Sequence, residues 1–290
     1  MWQQYLVNGI VAGSQLGLLA ASFALVYQTA RFFSFSHASI FTLGAYAAYA
    51  LKQYCGLPLL LAGFVAILAV AVAGWLQHYF IFARLLRRKT APISLLLASL
   101  GLMVAIQNAI SMTFGDELKM LSSDQVRQGI TVGRALITPI QLWTLGLSIT
   151  LLIVITLLMG YTDIGIRLRA VADDPDLALS VGLEPQSVTG LAFFIGSGLA
   201  AAAAILASLD TGLTPSMGFN ALLMAVVAVV MGGVGSVSGA LMGGLAIGLA
   251  ENLMSAFLPI TWIYPCMFLL LIVFLLVRPS GLIGQSISRR

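Results

Sequence analysis

The chain has 290 residues, of which 60% are hydrophobic and 8% are charged. Soluble globular domains carry about a quarter charged residues, so this composition and a mean hydropathy of +1.03 exclude an ordinary soluble domain. The net charge of +4 at pH 7 would suit nucleic acid, but the basic residues stand directly beside apolar runs. That placement is typical of the loop ends of membrane proteins, so we expect a lipid bilayer, and no nucleic acid, as a partner.

Apolar runs of about 20 residues recur along the chain, and each is long enough to cross a bilayer as a helix. We predict an all-α polytopic membrane protein of about eight transmembrane helices (eight or nine, with short or broken ones), folded as one domain over residues 1–290. The predicted spans are residues 5–29, 36–51, 58–82, 92–114, 139–161 and 188–209, a glycine-interrupted stretch at 219–257, and residues 260–277.

Two of the predicted segments, residues 36–51 and 219–231, are short for a full crossing. Discontinuous or re-entrant helices of this kind can line a polar path through a transporter. Tilted helices in a locally thinned bilayer would show the same length. The sequence favours neither interpretation.

The basic residues also assign a side of the membrane to each loop, because Lys and Arg are enriched in cytoplasmic loops. Ten fall on one predicted side and four on the other, which predicts a periplasmic N-terminus and a cytoplasmic C-terminus. The first apolar run is too long for a signal peptide and lacks a preceding positive residue, so we expect it to remain as a helix. Cys55 and Cys266 fall near the predicted outer face, where either a disulfide or two separate apolar cysteines would fit. The predicted inner residues are Arg31, Arg84, Arg87, Arg88, Lys89, Arg167, Arg169, Arg278, Arg289 and Arg290, and the outer ones are Lys52, Lys119, Arg127 and Arg134.

A polar island interrupts the apolar chain at residues 163–184, where seven charged residues fall within 22 positions. Asp174 followed by Pro175 is typical of a helix N-cap and a first helical residue, and Gly182 is typical of the position that ends a helix. The helix between them, residues 176–181, has about two turns and is too short to be stable alone in water. We therefore interpret the island as a capped helix that docks on a partner.

A glycine-rich stretch at residues 231–248 has two interpretations. It is not a phosphate-binding loop, because no Lys-Ser or Lys-Thr pair follows its last glycine. The spacing of Gly235, Gly239 and Gly243 is typical of membrane helices that approach closely. The beginning of the stretch, residues 232–235, alternatively predicts a helix break that lines a transport pathway.

Other polar residues within the apolar runs are candidates for function, because ionisable groups are costly inside a membrane. Glu251 either lines a substrate path or pairs with a neighbour near the interface, while Ser36 and His37 begin a serine-rich helix. His37 and His78 stand apart without clustered Cys, Asp or Glu, so we predict no metal site. No nucleophile, base and orienting group occur together, so we predict no catalytic residue and no enzyme.

Four segments make the chain resemble the permease subunits of bacterial ABC importers of the branched-chain amino acid type, over nearly its whole length. Residues 169–178 with Gly182 stand in the place of the coupling loop of that family. Asp176 replaces the usual glutamate there, and Leu177 replaces the usual alanine. The other three similar segments are residues 33–46 (FSFSHASIFTLGAY), 214–244 and 277–284 (VRPSGLIG).

The resemblance implies half of a transport pathway. In such importers two homologous permeases, here expected as a heterodimer, form the route, two cytoplasmic ATPase subunits bind ATP and Mg, and a periplasmic binding protein delivers the substrate. It also implies the bacterial inner membrane, no cofactor on this chain, and a cargo of branched-chain or other hydrophobic amino acids. Urea, short amides or other amino acids are alternative cargoes, and Glu251 with the short helices suggests a gradient-driven secondary transporter as an alternative mechanism.

Individual residues follow from these expectations. The polar island would pass the nucleotide-driven closure of an ATPase to the membrane helices, which requires different contacts in the two states. The expected ATPase-coupling residues are Arg167, Arg169, Asp173, Asp174, Pro175, Asp176, Leu177, Ala178 and Gly182. The expected pathway residues are Ser36, His37, Gly232, Gly233, Gly235, Ser236 and Glu251.

Overall fold

The computed structural model describes residues 2–88, 90–121, 129–132, 135–233, 235–278 and 281–282. Within these residues the chain is almost wholly α-helical, with one antiparallel hairpin of two three-residue strands, β1 (Ile130–Val132) and β2 (Ala135–Ile137). The sequence predictions that lie outside the described residues concern Lys89, Arg127, Arg134, Val234, Arg289, Arg290 and half of the segment 277–284.

The helices follow the apolar runs closely, and a five-residue π-helix (His78–Phe82) joins α3 to α4 without a break. An inserted π-turn of this kind changes the face that the following residues present. The α-helices are α1 (Trp2–Ala30), α2 (Ser36–Cys55), α3 (Leu59–Gln77), α4 (Ala83–Arg87), α5 (Pro92–Phe114), α6 (Pro139–Tyr161), α7 (Asp163–Asp173), α8 (Pro175–Ser180), α9 (Pro185–Thr211), α10 (Met217–Gly232), α11 (Val237–Met254) and α12 (Ile260–Val277).

Six helical segments of the described chain are long and apolar enough to cross a membrane: α1, the continuous Leu59–Arg87 segment, α5, α6, α9 and α11. Two further apolar helical segments, α10 and residues Thr261–Val277 of α12, are shorter. The prediction of an all-α polytopic membrane protein is therefore confirmed. The number of crossings and the side on which each terminus lies stay predictions.

The two segments predicted to be short have different outcomes. The helix predicted over residues 36–51 is longer than expected, since α2 has 20 residues and ends only where Gly56 takes a left-handed conformation with φ of +66°. The stretch at residues 219–257 divides into two helices, and the first of these, α10, has 16 residues. The break between them falls at residues 233–236, within the glycine-rich segment.

Helices α1 and α9 form the centre of the bundle. Helix α1 packs on α9, α10 and α11, and α9 also packs on α2 and α3. Small side chains allow this crowding, and all five alanines of the run at residues 200–204 are buried. Large apolar side chains are exposed on α3, α5 and α6, where we expect them to contact lipid.

Glycines set the distance between α1 and the hairpin formed by α10 and α11. A Cβ atom on Gly248 would collide with the Cα of Gly13, and one on Gly244 would collide with the Cα of Gly17. On the adjacent face of α11, a Cβ atom on Gly243 would collide with the carbonyl oxygen of a residue of α10. The interpretation of the small-residue spacing as close helix packing is confirmed for this part of the stretch.

We expect Gly248→Ala to destabilise the protein by about 1–3 kcal/mol, because the added methyl group meets backbone atoms that cannot rotate away. Gly101→Ala is the matched control, since a Cβ atom at Gly101 of α5 meets nothing within 4 Å. The same change there should be neutral or stabilising, because alanine favours a helix more than glycine does. Thermal unfolding in detergent measures both, and equal melting temperatures would contradict the packing described here.

Candidate functional site

The polar island folds into two helices, α7 and α8, that follow each other directly. Asp174 caps α8, because its Oδ1 accepts hydrogen bonds from the amides of Asp176 (2.9 Å) and Leu177 (3.0 Å). Pro175 occupies the first helical position, where its missing amide hydrogen costs nothing. The N-cap predicted from the sequence is therefore confirmed, whereas α7 was not predicted as a separate helix.

The far end of α8 is apolar and open. Gly182, with φ of +86°, ends the helix as predicted. Leu177, Leu179 and Val181 are exposed by 63%, 58% and 71%, while Ala178 is 3% exposed and packs inward. A helix of six residues that exposes Leu177 and Leu179, with the exposed Val181 directly after it, is unfavourable in water unless a partner covers these side chains. This arrangement fits a docking surface, which we call the α8 face and define as Leu177, Leu179 and Val181.

Arg31 attaches this segment to the centre of the bundle. Its Nη2 donates hydrogen bonds to the carbonyl oxygens of Ala172 (2.6 Å) and Asp173 (2.8 Å), the last two residues of α7. A cation at that position satisfies carbonyls that lack helical partners and interacts favourably with the helix dipole. Leu168 and Val171 of α7 are buried on the opposite side. The end of α1 thus holds the end of α7.

Arg87 makes a second attachment, where α9 begins. Its Nε donates to Oε1 of Gln186, and its Nη2 lies 4.0 Å from Oε1 of Glu184. The ion pair is exposed, so we expect a contribution below about 1 kcal/mol. Of the two arginines expected to couple, Arg169 donates to backbone carbonyls near its own helix and Arg167 is exposed.

A cavity of about 360 Å³ lies among α1, α2, α9, α10, α11 and α12, near the end of α9 that is remote from α8. Among the described residues that line it there is one acid and no Lys, Arg or His. Leu16, Leu19, Phe41 and Met224 belong to its apolar wall. The polar lining residues are Gln15, Thr211, Thr214, Asn220, Glu251 and Tyr264.

Two of the polar groups in the cavity lack protein partners. The Nε2 of Gln15 is buried and makes no hydrogen bond with any described residue. The Glu251 carboxylate has no hydrogen bond or ion pair within the described part of the chain. Buried polar groups are normally paired, so donors and acceptors left open around one cavity indicate a place for a ligand.

Ser36 and His37 lie elsewhere, in a buried polar cluster where α1, α2 and α3 meet. The Nε2 of His37 lies 2.9 Å from Oγ of Ser22, and the Nε2 of Gln77 donates to Oγ of Ser36. The hydroxyl of Ser36 is also 2.9 Å from that of Ser34. These bonds tie three helices together, and none of the residues lines the cavity.

The glycine break lies at the same end of the bundle as α7. Gly232 packs against Gly239 in the turn between α10 and α11, and Gly233 has φ of +113°. Gly235 and Ser236 line a separate hollow of about 280 Å³ together with Gln28 and Arg169, and the Ser236 hydroxyl caps α11. Of the expected pathway residues, the structure brings only Glu251 to the cavity.

Sequence reasoning missed the polar residues that share the cavity with Glu251. Gln15 lies in an apolar run, and a polar residue at that depth is a signal of the same kind as Glu251. The sequence does not mark Asn220 and Tyr264 as functional candidates in the same way, because polar and aromatic residues near helix ends are common. Arg31 contributed only to the orientation prediction, since its partners are backbone carbonyls distant in sequence.

A bundle of membrane-spanning helices with a polar cavity toward one end and an anchored docking segment at the other defines a membrane transport protein. The family described as "Branched-chain amino acid transport system / permease component" matches residues 5–277, and the chain belongs to that family. It is a transport subunit and not an enzyme.

The chain is 31% identical to the high-affinity branched-chain amino acid transport system permease protein LivH of Escherichia coli K12, over 97% of this chain and 95% of that one. The protein of the same name from Salmonella typhimurium is also 31% identical, with the same coverage. The permease protein BraD of Pseudomonas aeruginosa is 30% identical over 97% of this chain and 95% of its own. These similarities span essentially the whole length of each protein.

We expect Arg31→Ala to loosen α7 and α8 without unfolding the bundle, because it removes both hydrogen bonds to the last carbonyls of α7. Each such bond contributes about 0.5–1.5 kcal/mol, so loss of both should accelerate amide hydrogen exchange in α7 and α8 by about five- to a hundredfold. Arg88→Ala is the control, since Arg88 is exposed and its side chain makes no hydrogen bond with the described residues. Unchanged exchange in the Arg31 variant would show that the contact does not hold the segment.

Proposed function

We propose that this chain forms half of the translocation pathway of an ATP-driven importer and carries branched-chain or other hydrophobic amino acids. The α8 face is the observation that carries the proposal, because a capped helix with exposed apolar side chains needs a protein partner in water. The cargo is supported by relatives named as components of high-affinity branched-chain amino acid transport systems.

The α8 face seats in a groove of a cytoplasmic ATPase subunit. Closure of the ATPases around ATP and Mg moves α8. The contact of Arg31 passes the displacement to α1, and the contact of Arg87 with Gln186 passes it from the start of α9 to α4. Coupling of this kind requires that the contacts differ in energy between the open and closed states. Asp173, Asp174 and Asp176 add exposed negative charge beside the apolar face, which steers the approach of a basic groove.

The complete importer then contains a second homologous permease, two ATPase subunits that bind ATP and Mg, and a periplasmic binding protein. Its place is the bacterial inner membrane, with the N-terminus of this chain in the periplasm and α7 and α8 in the cytoplasm. The described basic residues support this orientation, because Arg31, Arg87 and Arg169 gather around α7 and α8.

A related importer for urea, short amides or other amino acids has the same architecture, and transport assays with those cargoes separate it from the main proposal. A gradient-driven transporter is favoured by one observation, the unpaired acid Glu251 in a cavity. Uptake by this chain alone in liposomes, driven by a proton or sodium gradient, would support that second mechanism and contradict the first.

We expect Gly182→Trp to abolish association with the ATPase and ATP-driven uptake. The substitution places a bulky ring beside the α8 face and forces a side chain into a left-handed conformation, at a cost of about 1–2 kcal/mol. Gly56→Trp is the matched control, because Gly56 also has positive φ and open surroundings but ends α2. Co-purification and uptake in proteoliposomes measure the effect.

Deletion of residues 173–183 should act like Gly182→Trp. Both variants should still insert and fold, as judged by detergent extraction and a single size-exclusion peak. Normal assembly and uptake in both variants would contradict a coupling role for this segment.

A further inference from the structure

The charge and the hydrogen-bonding groups of the residues that line the cavity near Glu251 favour some cargoes over others. It offers one carboxylate and several neutral polar groups, and no described basic side chain lines it. A carboxylate set among apolar helices without a counter-charge is unfavourable, and a cation that enters the cavity would remove this cost.

A metal cation does not fit this cavity well. Hard cations such as Ca²⁺ require several oxygen ligands, usually with more than one carboxylate, and Glu251 is the single acid among the described residues that line the cavity. An anionic cargo would be repelled by Glu251. Urea or a short amide can donate N–H groups to the carboxylate, but it is neutral and leaves the negative charge uncompensated. An organic ammonium group satisfies the carboxylate by a charge-assisted hydrogen bond.

The remaining walls suit the rest of an amino acid. The amide of Gln15 has an unused donor in its buried Nε2, and Asn220 supplies a second amide, so a carboxylate can be bound without a basic residue. Leu16, Leu19 and Phe41 offer an apolar surface for a hydrophobic side chain. The volume of about 360 Å³ lies within the range of small-molecule sites.

We propose that this cavity is an intramembrane binding site for a zwitterionic amino acid, in which Glu251 binds the ammonium group, Gln15 and Asn220 bind the carboxylate, and the apolar wall receives the side chain. The proposal rests on the function given above and adds to it a selection by the permease itself. The ammonium group is the element that the cavity recognises by charge, and the side chain is recognised only by its apolar character.

The test uses the assembled complex of both permeases and both ATPases in nanodiscs, without the binding protein. Binding is measured for leucine, for 3-methylbutan-1-amine, which lacks the carboxylate, and for 4-methylpentanoate, which lacks the ammonium group. Wild-type protein should bind 4-methylpentanoate at least about tenfold more weakly than leucine, and the amine should retain more of the affinity. Equal binding of leucine and 4-methylpentanoate, or no binding of leucine, would overturn the proposal.

Leucine binding to variants of Glu251 provides a second test of the proposal. Glu251→Gln should weaken leucine binding by about ten- to a hundredfold, the range expected for a hydrogen bond to a charged group, while Glu251→Asp should retain part of the affinity. Asp210→Asn is the matched control, since Asp210 is an exposed acid near the same end of α9 that does not line the cavity. Unchanged leucine binding in Glu251→Gln would overturn the proposal.

The same preparations separate this inference from the proposed function. Proteoliposomes with the binding protein and ATP measure uptake by wild-type protein, and failure of wild-type uptake contradicts the importer itself. Normal uptake by wild type together with normal uptake by Glu251→Gln contradicts only the cavity. If Glu251→Gln does not assemble, the three-ligand comparison on wild-type protein still decides the matter.

Discussion

The close approach of α1 to α11 is the constraint on which the rest of the structure depends. Both helices present glycine to each other, so their backbones meet where side chains would otherwise separate them. In a bilayer no hydrophobic force draws helices together, and the gain comes from dispersion contacts between surfaces that fit. On another face of α11, Gly243 allows the same close backbone contact with α10, and this contact fixes the hairpin of α10 and α11 beside α1.

This packing decides where larger and polar side chains go. With its glycines toward α11, α1 turns Gln15 and Leu16 toward the cavity and Ser22 toward His37 of α2. One helix therefore contributes to the cavity wall, to the polar cluster with α2 and, through the residue that follows its last turn, to the attachment of α7. Features that are far apart in sequence depend on the same central element.

The sequence predicted most of the helices and the caps of α8, because these follow from local signals. Apolar runs bounded by proline and glycine mark helix ends, and Asp174 with Pro175 specifies an N-cap through atoms two or three residues away. The family followed from four segments in the correct order. Local signals also misjudged the length of α2, since its polar last turn interrupts the apolar run but continues the helix.

The cavity was harder to predict, because its walls come from six helices whose mutual rotation depends on packing. Glu251 was recognisable as a candidate, since an acid in an apolar helix stands out in any arrangement. Ser36 and His37 had an equally strong polar signal, but the packing of α1, α2 and α3 encloses them and joins them to other side chains. A polar residue that is paired inside the core and one that faces a cavity look the same in the sequence, and only the folded structure distinguishes them.

Arg31 is the one non-glycine residue of the described chain with a positive φ, of 52°. This left-handed residue ends α1, and its guanidinium reaches two carbonyl oxygens at the end of α7. Under the proposed coupling, α1 would therefore follow a movement of α7 as one rigid helix, because the contact is made at the residue where α1 stops.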